Sequence, residues 1–174
     1  MAKFKIQTSS STVNWTGKKV LGLHTGTINI LNGFIEMEDQ QIVGGEVQID
    51  MPSIVITDIG DKNTRDNFLA HLFNDDFFAV DKFKTATLTI TGSNLLEPSK
   101  FKINGILTIK DISHPVSFTA TIEIFTDFLH ALGELVVDRT LYNIRYGSGK
   151  FIANLGDKLI YDEFVLQFKL VAQS

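Results

Sequence analysis

The chain has 174 residues, 44% hydrophobic and 21% charged, enough apolar matter for one domain with a buried core and too much for a disordered tail. Sixteen Lys and Arg against twenty Asp and Glu leave a net charge of −4, so no global positive field draws the protein to nucleic acid or to an anionic membrane. The absence of Cys removes disulfide scaffolds, thiolate metal sites and cysteine nucleophiles together.

The opening passes from Met1-Ala2-Lys3-Phe4-Lys5-Ile6 straight to polar Gln7-Thr8-Ser9, with no leader pattern. That leaves a cytoplasmic protein or one whose leader has been removed. Alternation of apolar and polar residues marks short strands at 11–17, 26–31 and 34–38, with Asn32-Gly33 and Asp39-Gln40-Gln41 as turns. Glu46-Val47-Gln48-Ile49-Asp50-Met51 puts three apolar side chains on one face and three polar ones on the other, as a strand with one buried face requires. The period then changes. Apolar residues at 68, 69, 72 and 73 form one face of a short helix around 62–73, with Asn63 or Thr64 as its cap, and Asp75-Asp76-Phe77-Phe78-Ala79-Val80 follows as a turn carrying two buried rings.

Alternation resumes in Thr85–Thr91, ended by a turn at Gly92-Ser93-Asn94, and in Phe101–Lys110, where it changes phase at Ile106. A turn at Asp111-Ile112-Ser113 leads through His114-Pro115 into Val116–Ile124, the most regular run in the chain. Strands at 132–138 and 147–153 and a closing strand at Phe164–Leu170 complete the series, with the three prolines at 52, 98 and 115 at or near strand ends. Short strands at regular spacing predict an all-β antiparallel sandwich or barrel, and with no repeat or linker the whole of 1–174 reads as one domain. Fourteen Phe can fill an eight-stranded barrel or leave an elongated slot in it for a ligand. No run reaches the roughly 18 apolar residues of a membrane helix. Membrane β-strands need about 9–11 residues, longer than most of these runs, so an integral membrane barrel is not expected.

Catalytic grammar is sparse. Gly147-Ser148-Gly149 lacks the spacing of a serine-hydrolase elbow, and Gly149-Lys150 lacks the rest of a phosphate loop. His71 with Asp75 and Asp76 could supply an N/O metal site, but without a further ligand a helix-end histidine beside capping aspartates is the simpler reading, and no metal is expected. His114 reads as a turn residue before proline, or as a polar group at a pocket mouth. Asp138-Arg139-Thr140-Leu141-Tyr142-Asn143-Ile144-Arg145-Tyr146 can close a barrel rim with an ion pair and two half-buried rings, or offer Arg139 or Arg145 to a ligand head group. Trp15 alternates with Val13 and Gly17, as an inward anchor would.

Several motifs in order carry a resemblance. They are Ser11-Thr12-Val13-Asn14-Trp15-Thr16-Gly17, then His24-Thr25-Gly26-Thr27, then Arg65…His71-Leu72…Asp75-Asp76-Phe77-Phe78-Ala79-Val80-Asp81-Lys82-Phe83. Gly105–Val116, Asp138-Arg139-Thr140-Leu141-Tyr142 and Gly156–Phe164 follow. Over nearly its whole length the chain resembles the YceI-like family of lipid-binding barrels. It departs at Phe83-Lys84, where the family has Tyr-Pro, and at Asp111, where the family usually has Gly. The resemblance implies a lipocalin-like eight-stranded antiparallel barrel with a helical insert and an apolar channel. It implies non-catalytic binding, transport or sequestration of a polyisoprenoid, a prenylated quinone or a fatty acyl lipid, with no cofactor. It also implies a periplasmic location and, as is common in the family, a homodimer. The ligand-binding residues expected on this basis are Trp15, Arg65, His71, Asp76, Phe77, Phe78, Phe118, Arg139, Tyr142 and Phe168. The competing expectation is an enzyme acting on a hydrophobic substrate in the same cavity through His71, Asp76 or Arg139, which needs two such groups to converge there.

Overall fold

A computed structural model of the chain, describing residues 1–174, turns the alternating runs into nine antiparallel strands and one α-helix. The strands are β1 (Ala2–Ile6), β2 (Thr12–Lys19), β3 (Gly22–Glu38), β4 (Gln41–Ile56), β5 (Thr85–Glu97), β6 (Lys100–Ile109), β7 (Ile112–Ile124), β8 (Phe128–Asp138) and β9 (Ile160–Gln173); α1 is Lys62–Phe73. Around the sheet the order is β3-β2-β9-β8-β7-β6-β5-β4, and β4 pairs back onto β3, so eight strands close a barrel. β1 is extra. It pairs with the far half of β3 and the last residues of β9, and a 3-10 turn at Thr8–Ser10 separates it from β2, so β1 and β2 share one stave.

Closure removes the sheet edges, and alternation then decides what fills the inside. Phe101, Ile103, Leu107 and Ile109 on β6 are buried while Ile106 is exposed. The alternation on β6 therefore runs unbroken with Gly105 inward, and the phase change expected at Ile106 does not occur. At the end of the barrel opposite α1, Phe4, Ile6, Leu129 and Ala172 are each no more than 4% exposed.

Several turns expected from composition lie inside strands. Asn32-Gly33 is part of the continuous β3, at a register shift against β4. A Cβ at Gly33 would lie 2.7 Å from the Glu46 carbonyl and 2.8 Å from Ile6, so close backbone approach, not a reversal, calls for glycine. Gly92-Ser93-Asn94 likewise sits in β5 beside a register shift. Two-residue hairpins instead lie at Val20-Leu21, at Pro98-Ser99, and at Asp39-Gln40 and Lys110-Asp111, where both residues have positive φ. Pro52 and Pro115 lie within β4 and β7 rather than at their ends. Pro52 follows the point where the β4–β5 ladder stops at Asp50, so no β5 carbonyl awaits the N–H it lacks.

The helix forms as the periodicity predicts, but its cap is Asp61, whose side chain accepts from the Thr64 backbone N–H at 2.9 Å, not Asn63 or Thr64. Residues 147–153 are turns and bends, not a strand. They belong to the long β8–β9 connection, in which 3-10 turns at Arg139–Tyr142 and Gly156–Lys158 occur.

Candidate functional site

At the α1 end the barrel is not filled. A cavity of about 260 Å³ remains, and seventeen of its twenty-three lining residues are hydrophobic. Inward residues of the strands form the wall: Val13 and Trp15 on β2, Ile28 on β3, Ile49, Met51 and Ile54 on β4, Leu107 and Ile109 on β6, Phe164 and Leu166 on β9. Phe68 and Leu72, one helical turn apart, bring α1 across the opening, and Phe77 and Phe78 from the turn after it complete the cover. Phe78 meets the Phe164 ring edge-on with centroids 6.3 Å apart.

Polar groups gather at the mouth. His24 Nδ1 lies 2.9 Å from an Asp58 carboxylate oxygen, the His24 ring is 4.8 Å from Phe68, and the other Asp58 oxygen accepts from Thr25 N at 3.1 Å. Burial opposes ionisation of Asp58, but the bonds from His24 and Thr25 outweigh it and hold the carboxyl below its ordinary value. Arg139, 4% exposed, reaches the cavity wall with one donor on each of its three nitrogens engaged. Nε donates to Tyr161 O at 3.1 Å, Nη1 to Ile144 O at 3.0 Å and Nη2 to Ile160 O at 3.2 Å. Burial lowers its pKa, against the opposing charges of Asp162 and Asp138. Asp138 accepts from Thr140 N and Oγ1 and lies 3.6 Å from Lys150 Nζ; these interactions overcome burial and keep its carboxyl below the ordinary value. The side-chain polar atom buried with no partner is Trp15 Nε1, in an indole packed against Gly26.

Of the ten residues expected to bind ligand, four line the cavity: Trp15, Phe77, Phe78 and Arg139. The other six lie elsewhere. Arg65 donates to Ile59 O at 3.2 Å and braces the chain before α1. His71 Nε2 sits 3.2 Å from Asp76 on the outer side of the helix end, with the Phe77 and Tyr146 rings 4.8 and 4.5 Å away. Tyr142, 1% exposed, packs edge-on against His114 as part of the core. Phe118 and Phe168 meet deeper in the barrel, with ring centroids 5.6 Å apart. Sequence reading missed His24 and Phe68. His24 is in step with Gly26 and Ile28, and Phe68 is spaced four from Leu72, so both periods held the signal.

A wider depression of about 660 Å³ lies open across the start of β9, lined by Thr16, Lys18, Lys150, Tyr161 and Glu163 among others. Six of its ten lining residues are not hydrophobic, so it is a solvated groove rather than a site for an apolar ligand.

The YceI-like domain model matches residues 4–172, almost the entire chain. The chain belongs to the YceI-like domain family. Solved structures repeat the fold of this YceI-like barrel. BcnA of Burkholderia cenocepacia is 20% identical with a TM-score of 0.75, over 97% of this chain and 99% of that one. A polyisoprenoid-binding domain of Saccharophagus degradans, implicated in plant cell wall breakdown, is 15% identical with a TM-score of 0.73, over 98% of each. The Campylobacter jejuni YceI protein is 21% identical with a TM-score of 0.61, over 80% of this chain and 78% of that one. No curated protein matches the sequence.

Proposed function

We propose that the protein binds, and carries or sequesters, a chain amphiphile of the polyisoprenoid, prenylated quinone or fatty acyl class, without turning it over. The apolar cavity under α1 carries this reading. Its walls are mostly apolar and its polar groups gather at the mouth, so a hydrocarbon chain inside and a head group outside is the arrangement it suits. The polyisoprenoid-binding domain that shares the fold supports the ligand class. Burying a methylene contributes about 0.8 kcal/mol, so about ten contribute roughly 8 kcal/mol before association costs, and no catalytic group is needed for useful affinity.

An enzymatic reading through His71, Asp76 or Arg139 needs two of these groups to converge on the cavity. His71 and Asp76 are paired with each other away from it, and Arg139 is bonded to three main-chain carbonyls. Binding is therefore the better supported of the two. The proposal includes a periplasmic location, tested by fractionating cells that express the full-length gene.

Native mass spectrometry of protein purified without detergent, then solvent extraction, tests the function. A one-to-one adduct released as an isoprenoid or acyl lipid is the expected result. A mass that stays bare after incubation with prenylated quinones and fatty acids would count against a carrier.

A further inference from the structure

The cavity lies at the α1 end of the barrel. Along β9 its wall ends at Leu166, and the next inward residue is Phe168. Phe168 stands opposite Val13 on one side and Gly133 on the other. Gly133 matters here. A Cβ at that position would run into Phe168 Cζ and come within 2.9 Å of the Thr119 carbonyl, so the missing side chain is what lets the ring lie across β8. From β7, Phe118 meets this ring edge-on at 5.6 Å, a favoured aromatic geometry. Both rings are half-buried, and Phe168 stands directly beside Val13 and two residues past Leu166, the last lining residues on β2 and β9. Beyond them, toward the end opposite α1, Phe101, Ile122 and Leu129 are at most 4% exposed.

We infer that the Phe118–Phe168 pair is the floor of the ligand site and sets the length of chain that it accepts. This rests on the binding reading above and narrows it. At about 30 Å³ for each water-sized or methylene-sized group, 260 Å³ corresponds to about nine such groups. The site therefore takes one short acyl or prenyl chain in full, or the end of a longer one whose remainder stays outside the mouth. Chain beyond that limit gains no burial.

The test is a fluorescence titration with straight-chain saturated fatty acids of about eight to eighteen carbons. Trp15 is the only tryptophan and lies in the cavity wall, so its emission reports occupancy of this site. In the wild type, affinity rises by roughly fourfold per added methylene up to about nine buried carbons and then levels off. In Phe118→Ala/Phe168→Ala the rise continues for about three or four further carbons, because the truncated rings leave space continuous with the cavity. Phe168→Leu, a milder change, shifts the plateau by about one or two carbons and decides the matter if the double variant fails to unfold cooperatively. Affinity that keeps climbing through the longest acid in the wild type, or plateaus that coincide in wild type and variants, overturns the floor while leaving the carrier reading intact. No binding of any member by the wild type, read by fluorescence and by mass, overturns the carrier reading and the floor with it.

Discussion

Arg139 brings a guanidinium into a site 4% exposed where its hydrogen-bond partners are all main-chain carbonyls. The three bonds tie the turn after β8 to the first residues of β9. Replacement by Met keeps the bulk and takes the Arg139 donor away from each of the three oxygens. Each costs about 1–3 kcal/mol when water cannot reach it, so Arg139→Met is expected to lower stability by about 3–5 kcal/mol in urea unfolding. Arg139→Lys keeps the charge but not the planar fork, and about half of that loss is expected to remain. A variant as stable as wild type would show that the role assigned to Arg139 is wrong. Sequence could name Arg139 as either a rim clamp or a head-group ligand because both uses need the same side chain; the carbonyls that engage it come from residues 144, 160 and 161, and local pattern does not reveal that meeting. His71 and Asp76 illustrate the same limit. Their pairing follows from nearness in the chain, whereas the side of the helix they face depends on packing. Trp15 was legible because alternation along one strand fixes its face without knowledge of any partner.

At the scale of elements, strand alternation carried far, and turn composition less so. Asn32-Gly33 and Gly92-Ser93-Asn94 look like reversals, yet in a barrel with long strands the same residues absorb register shifts. The β6–β7 hairpin turns instead at Lys110-Asp111, with φ of 54° and 61°. Both side chains sit in the left-handed region, where Asn and Gly are better suited, and this is the position at which the family usually has Gly. Replacing the pair by Asn-Gly is expected to stabilise the protein by about 0.5–1 kcal/mol, read as a higher urea midpoint at unchanged slope. Lys110 Nζ also bonds Asp75 O at 3.4 Å and Asn143 O at 3.1 Å, so Asp111→Gly alone separates the turn effect from those contacts. The helix depends on packing more than on its own propensity. Leu72 is its one buried residue, and truncation to Ala is expected to cost about 2–4 kcal/mol. Because Leu72 also covers the cavity, the same change should speed ligand release, measured by displacement of a bound fatty acid. Unchanged release would mean that α1 does not gate the mouth.

The whole molecule is built with unlike ends. Opposite α1, β1 adds Phe4 and Ile6 to a filled core, while the α1 end holds the cavity, the helix and the long β8–β9 connection. The carboxyls held below their ordinary value, Asp58, Asp61 and Asp138, belong to segments at that open end. The bonds from Thr64 to Asp61 favour its ionised form, while at Asp58 and Asp138 hydrogen bonding overcomes burial. A carboxyl whose pKa is lower folded than unfolded stabilises the fold above the ordinary value of 3.8 and loses that contribution as the pH falls through the folded value. Acid should therefore loosen the mouth before it melts the barrel. Hydrogen exchange followed from pH 7 down through pH 3 is expected to show early loss of protection at Thr25, Thr64 and Thr140, whose N–H groups donate to these three carboxylates. Amides of Leu129 and Ala172, in the ladder of the filled end, should stay protected over the same range. Asp58→Asn with Asp138→Asn should flatten the acid response while lowering stability at neutral pH. Loss of protection that begins at the filled end, or uniformly, would mean that these carboxylates do not govern opening.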